Sequence, residues 1–377
     1  MTINKYIYEL NQIKQSIWYD NLSKDVLESG ELVNLIAQGV SGLTSNPTIF
    51  QKAIATSDKY DAAIKNLIKI DSSNESVCEE LMIADVAAAA DLLSPVYLAS
   101  AGMDGYASIE VSPLLAHDKD STVQAAKRIW SKLNRPNIMI KIPATKACIP
   151  AIQEVLEEGI NVNVTLIFSV ATYKEVAQAY IEALKNRLDS GRSINKISSV
   201  ASFFVSRVDS IFESEVEKKL KGNQGLIEKA NGLIGKVGIA NSKLAYLAFN
   251  DLFFKSESFK KLSGHGAMLQ RPLWASTGTK NPAFSPVLYI EELAGENTVN
   301  TVPPATLKAL LASCNVKNNL VKESDKAQNI IQAVGDLGLN FNQMLGDLQI
   351  QGVELFANSY KDLLNAVQVK INKLSNT

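Results

Sequence analysis

Histidine is nearly absent from this chain: 377 residues hold two, His117 and His265, far apart in sequence. A histidine-ligated zinc or iron centre needs several imidazoles around one ion, and a Ser/His triad needs one beside a serine and an acid. Both are disfavoured. Cysteine is scarce as well. Cys78, Cys148 and Cys314 show no metal-ligand spacing and cannot all pair, which suits a reducing cytoplasm. Nor does one sign of charge dominate. Lys and Arg number 38 against 39 Asp and Glu, a formal net charge of -1, so nucleic acid and anionic membrane surfaces have no electrostatic claim. The opening Met-Thr-Ile-Asn-Lys-Tyr lacks the charged and apolar regions of a signal peptide, and no apolar run reaches spanning length. Low-complexity linkers, charge blocks and internal repeats are missing too. The expectation is one soluble, cytoplasmic domain, residues 1–377, with neither metal nor organic cofactor.

What is present is an alternation of short apolar or β-branched runs with longer helical stretches, the pattern of repeated βα units. Strands are expected near 16–20, 39–44, 105–111, 137–142, 161–168, 197–205, 271–276 and 298–302. Eight such runs predict an α/β fold, a single (β/α)8 barrel of the TIM type. An open doubly wound sheet is the alternative, disfavoured because no G-x-G-x-x-G follows an early strand. Among the helices, Glu75–Leu92 is alanine-rich with Ser72 or Ser73 as N-cap, and Val170–Leu188 is amphipathic. Two stretches exceed a minimal barrel: helical sequence at 47–92, and an insertion near 208–262 containing a Gly-Asn-Gln-Gly turn at 222–225. A long helix over 341–374 is expected to pack across the barrel.

The chemistry begins with Ile138-Met139-Ile140-Lys141-Ile142-Pro143. Strand side chains alternate, so the isoleucines share one face while Lys141 projects from the other with Met139. An ammonium in a strand buried on both faces is costly unless paired or discharged. Burial and an apolar or cationic neighbourhood favour the neutral amine, which attacks carbonyl carbon. A Schiff-base lysine is the reading. The same alternation sets Val162, Val164 and Leu166 opposite Asn161, Asn163 and Thr165, and Ala107, Ile109 and Val111 opposite Ser108 and Glu110. It also turns Asp20 away from Ile17 and Tyr19. With the apolar faces on the helices, Asp20, Glu110, Lys141, Asn163 and Thr165 point into the barrel, mostly toward the C-terminal strand ends where barrel enzymes keep their chemistry. Several polar residues in a layer normally filled by Val, Ile and Leu break the local rule together, as functional sites do.

Imine chemistry needs proton donors and acceptors, and carbon–carbon cleavage needs a base for a substrate hydroxyl. Asp20 and Glu110 supply carboxyl groups, Thr165 a hydroxyl to orient a water, and Asn46 and Asn163 amides for sugar hydroxyls. Ser202 and Arg207 end strand six; Ser276-Thr-Gly-Thr-Lys280 follows strand seven. Arg207 and Lys280 with nearby hydroxyls make a phosphate site where such barrels often keep one.

These motifs resemble the transaldolases, in particular their longer bacterial branch. The matching stretches are Ser16-Ile-Trp-Tyr-Asp20, Gly42-Leu-Thr-Ser-Asn-Pro-Thr-Ile-Phe50, Ser108-Ile-Glu-Val111, Ile138–Thr145, Asn161-Val-Asn-Val-Thr-Leu-Ile-Phe-Ser169, Trp274-Ala-Ser-Thr-Gly-Thr-Lys-Asn-Pro282 and Asn300-Thr-Val-Pro-Pro-Ala-Thr306. The resemblance implies a metal-free class I aldolase barrel. It would move a dihydroxyacetone unit from sedoheptulose 7-phosphate to glyceraldehyde 3-phosphate, giving erythrose 4-phosphate and fructose 6-phosphate in the pentose phosphate pathway. By position it implies Lys141 as Schiff-base lysine, Asp20 as acid/base for cleavage, and Glu110 with Thr165 around a catalytic water. Asn46 and Asn163 then contact sugar hydroxyls, Ser202 and Arg207 substrate and phosphate. A homodimer is compatible with it. After strand seven the chain departs from the shorter branch: Thr277 and Gly278 follow Ser276 where an arginine is expected, leaving Lys280 as the cation, with Arg271 as a substitute.

Blander readings stand beside these. Asp20 favours a helix N-cap near Asn21 or Leu22, Glu110 and Lys141 make a buried ion pair, and Thr44-Ser-Asn-Pro-Thr48 starts a helix. Arg207 and Lys280 read equally as surface charges. His117 and His265 read as loop residues, and Trp18, Trp130 and Trp274 as fillers of core or cleft. Two other functions compete: an aldolase of shorter chain that releases free dihydroxyacetone, and a noncatalytic sugar-phosphate-binding barrel.

Overall fold

The computed structural model of the chain describes residues 2–71, 73–322 and 324–375. Eight parallel strands close into a barrel in sequence order. They are β1 Gln15–Asp20, β2 Gly42–Thr44, β3 Ala107–Glu110, β4 Ile138–Pro143, β5 Val162–Ile167, β6 Ser199–Phe204, β7 Gln270–Ala275 and β8 Thr298–Val302, with β1 pairing to both β2 and β8. With helices between them this is the expected (β/α)8 barrel, each strand within a few residues of its expected place.

Alternation decides which side chains enter the barrel. Ile138, Ile140 and Ile142 belong to the cluster shared with the surrounding helices, together with Ile17, Tyr19, Ala107, Ile109, Val162 and Val164. Trp18, Met139, Val200, Leu273 and Val299 form a second cluster that fills the barrel itself. Gly42 makes room for the largest of these. A side-chain carbon there would sit 2.6 Å from the Trp18 indole, so only glycine lets β2 pass the ring.

The rule fails once, in β5. Leu166 was expected to share a face with Val162 and Val164, but it adopts a left-handed φ of 58° and the pairing with β6 slips between Val164 and Ile167. Ile167 takes the helix-facing place and Leu166 turns to the inner cluster with Phe168. This is a bulge, the device that re-aims side chains beside sites, and it follows Thr165 directly.

The helices match in kind. Ser73 caps Asn74–Ala99 with its hydroxyl accepting from the Ser76 N–H; Ser72 lies outside the described residues. That helix runs through Pro95, past the expected end at Leu92. An 18-residue window of it, with mean hydropathy 1.6, is apolar enough by length and composition to cross a membrane, although Asp85 and Asp91 interrupt its apolar run. Here it packs on the barrel, burying Val77, Leu81, Val86, Ala89 and Leu93. Between β6 and β7 the insertion holds the helices Ser206–Lys219, Gln224–Asn231, Val237–Asn250 and Glu257–Gly264, with Asn223 capping the second. The Ser324–Asp336 helix was not foreseen. The last helix, Phe341–Ser375, crosses the C-terminal mouth of the barrel. Gln349 donates to the Ala144 carbonyl just beyond β4 at 2.8 Å, Thr48 donates to Ser359 at 2.8 Å, and Lys370 pairs with Asp61.

Candidate active site

At that mouth lies a cavity of about 620 Å³ whose walls include Asp20, Asn46, Lys141, Thr165, Ser202, Arg207, Ser276 and Lys280. Seven strands or strand ends contribute, all but β3, so residues far apart in sequence meet in one place. Glu110 and Asn163 complete the candidate set from beneath the cavity wall.

Lys141 is 5% exposed. Register sets it beside Glu110 on β3 and Asn163 on β5. Its Nζ donates to the Ser45 carbonyl at 3.1 Å, lies 3.7 Å from a Glu110 carboxylate oxygen, and sits 5.8 Å from the centre of the Phe356 ring. Glu110 is buried, and burial pushes its carboxyl up to about 7 against the pull of Lys141. Among the described residues neither Glu110 oxygen has a hydrogen-bond partner, nor has Thr165 Oγ1. A buried polar atom left unpaired costs free energy, and a water or a substrate group would satisfy all three.

Asp20 does not cap a helix. Ser23 caps Lys24–Glu28, and Asp20 instead accepts from the Thr44 hydroxyl at 2.8 Å. The Thr44 and Thr301 hydroxyls are 2.6 Å apart, which makes a proton chain of Thr301, Thr44 and Asp20. Burial raises the Asp20 carboxyl above its ordinary range, while Lys141, Thr44 and Lys280 oppose the shift.

Asn46 caps the Pro47–Thr56 helix, its side-chain oxygen accepting from Ile49 N–H at 3.1 Å. The cap uses only the oxygen and leaves the amide N–H groups for the cavity. Asn163 is fully buried and occupied on both ends: it accepts from Ser202 Oγ at 2.7 Å and donates to Ser108 Oγ at 3.1 Å. It therefore reaches the cavity through Ser202. Arg207 is half-buried against the Phe204 ring, and desolvation lowers its pKa. Lys280 is exposed at the rim.

Arg271 does not substitute. It starts β7 at the opposite end of the barrel, where it pairs with Asp104 at 3.0 Å and donates to Ser16 at 2.9 Å. His117 and His265 lie on exposed turns. Trp18 and Trp274 are buried and Trp130 is half-buried.

The sequence pattern described as transaldolase/fructose-6-phosphate aldolase matches residues 17–367. The protein called transaldolase 2 from Nostoc sp. is 43% identical over 100% of both chains. A transaldolase from Trichodesmium erythraeum is 43% identical over 99% of each, and one from Mycolicibacterium smegmatis 42% over 99% of each. The chain belongs to the transaldolase/fructose-6-phosphate aldolase family.

Sequence reasoning passed over several groups that meet these residues. The Ser45 carbonyl is backbone and leaves no mark in side-chain patterns. Thr44 and Thr301 were legible, since each lies inside a quoted motif and faces inward by the alternation that found Asp20. Phe356 was not: it is one apolar residue in a 35-residue helix.

Proposed function

We propose that this chain is a transaldolase in which Lys141 carries the substrate as a Schiff base. The observation that supports it most is the unsaturated trio around that amine: a buried carboxyl and a buried hydroxyl without partners, beside a lysine at an open cavity.

In this reading Lys141 attacks the ketose carbonyl of sedoheptulose 7-phosphate or fructose 6-phosphate. Glu110 and Thr165 hold a water that relays a proton onto the carbinolamine hydroxyl, which leaves as water while the imine forms. Asp20 takes the proton of the hydroxyl beyond the bond that breaks. The aldehyde, glyceraldehyde 3-phosphate or erythrose 4-phosphate, leaves, and three carbons stay on Lys141 as an enamine. The enamine adds to the acceptor aldehyde, whose new hydroxyl takes the proton back from Asp20, and water hydrolyses the imine. Asn46 and Ser202, with Asn163 behind it, hold sugar hydroxyls; Arg207, Lys280 and Ser276 hold the phosphate.

The near-equal charge balance supports small sugar phosphates, rather than nucleic acid or membrane, as partners. Three buried, unpaired cysteines support a reducing cytoplasm. One barrel domain and a homodimer belong to the same proposal, and limited proteolysis and sedimentation read them.

The test against the aldolase reading is release of dihydroxyacetone. With fructose 6-phosphate alone the transferase frees almost none, and added erythrose 4-phosphate yields sedoheptulose 7-phosphate. Rapid multiple-turnover release without acceptor makes the chain an aldolase instead. Binding without a borohydride-trappable adduct makes it a noncatalytic binder.

A further inference from the structure

Arg207 and Lys280 enter the cavity from separate segments: Arg207 from the first turn of the Ser206–Lys219 helix, Lys280 from the stretch after β7. Two such cations grip one phosphate only if their segments are fixed to each other. Ser206, Asp209 and Glu213 stand at i, i+3 and i+7, along one face of that helix. Each reaches the segment that carries Lys280. Ser206 N–H donates to the Ser276 carbonyl at 3.1 Å, and the two hydroxyls are 2.9 Å apart. Asp209 accepts from the Tyr289 hydroxyl at 2.7 Å. Glu213 accepts from the Asn281 amide at 3.4 Å, one residue beyond Lys280.

Asp209 is the centre of this row. It is 2% exposed, does not line the cavity, and its other oxygen accepts from the Gly238 N–H at 2.9 Å. A side-chain carbon at Gly238 would stand 2.7 Å from the Val205 carbonyl and 2.9 Å from Asp209, so glycine is what lets that backbone approach. Burial pushes the Asp209 carboxyl up to about 6. At the far end Ser276 holds a left-handed φ of 56°, a strained geometry for a serine that persists only where neighbours over-determine it. Ser206 does so.

We infer that Asp209 is a positioning residue for the phosphate group: with Tyr289 and the Ser206–Ser276 contact it clamps the Lys280 segment against the Arg207 helix at the spacing a phosphate monoester requires. The inference rests on the reading that Arg207 and Lys280 bind the phosphate, and names what holds them in register.

The experiment compares wild type, Asp209→Asn, Tyr289→Phe and Arg207→Ala. Three readouts are taken: steady-state kinetics on fructose 6-phosphate, inhibition by inorganic phosphate, and borohydride-trapped adduct from unphosphorylated dihydroxyacetone. In Asp209→Asn and Tyr289→Phe, KM for fructose 6-phosphate and the phosphate inhibition constant rise about tenfold. Their kcat moves far less than KM, and adduct formation from dihydroxyacetone stays within about twofold of wild type. A uniform loss across all three readouts, or unchanged phosphate inhibition where Arg207→Ala weakens it, overturns the clamp. If Arg207→Ala itself leaves phosphate inhibition unchanged, the phosphate reading falls first. Tyr289→Phe removes one hydroxyl only and decides the matter if Asp209→Asn does not fold.

Discussion

Lys141 Nζ lies 3.7 Å from Glu110, too far for a tight hydrogen bond, and donates instead to the Ser45 carbonyl at 3.1 Å. The amine is thus held by a neutral backbone group while the carboxylate beside it keeps both oxygens unpartnered. A pair built for stability would close that distance. This one leaves the acid beside the amine without locking it there, in reach of protons on a carbinolamine.

Lys141→Ala removes the nucleophile without cutting into the apolar cluster. Turnover falls by at least about a thousandfold, the scale seen when a covalent catalyst is deleted. The circular dichroism spectrum and the melting transition stay close to wild type. Half the native activity in the variant refutes the role.

Asp20→Ala separates the steps. The chain of Thr301, Thr44 and Asp20 serves the cleaving proton, so kcat on fructose 6-phosphate drops by about a hundred- to ten-thousandfold. Borohydride-trapped adduct from dihydroxyacetone falls much less. Equal losses in both measurements argue against the assignment.

Glu110 predicts a pH dependence. Its carboxyl, pushed up to about 7 by burial, takes a proton from water only when ionised, so adduct formation accelerates as pH rises through about 7. In Glu110→Gln that inflection disappears and the step slows by about a hundredfold or more. Rapid-quench trapping across pH 5 to 9 reads both effects; an inflection that persists in the variant belongs to another group.

Asp85 predicts a stability effect away from the site. It is 2% exposed and accepts from the Tyr60 hydroxyl at 2.6 Å, and burial pushes its carboxyl from 3.8 to about 6. The folded state therefore binds this proton more tightly than the unfolded one. Its contribution is complete below pH 4 and is lost as pH rises through about 6, by about 3 kcal/mol at most. Urea unfolding of wild type against Asp85→Asn shows the difference moving in the variant's favour between pH 4 and 7. A difference independent of pH contradicts this.

Most of the architecture was legible because parallel barrel strands are buried on both faces and leave short apolar runs between helices. A lysine inside one such run stands out, and alternation then finds Asp20, Glu110 and Thr165. Asn46 was legible through Asn-Pro, which marks a helix start whatever else the amide does. The bulge at Leu166 was not, since leucine carries no preference for a left-handed φ and tertiary packing imposes it. Arg271 misled although it opens its expected strand, at the end away from the C-terminal mouth, where Asp104 matches its charge. Phe356 depends on how the last helix crosses the barrel, and no local pattern encodes that crossing.

The most direct measurement is mass spectrometry of protein incubated with fructose 6-phosphate, reduced with borohydride and digested. A three-carbon adduct on the peptide containing Lys141, absent from Lys141→Ala, is the predicted result. An adduct on another lysine, or none while transfer proceeds, contradicts the account.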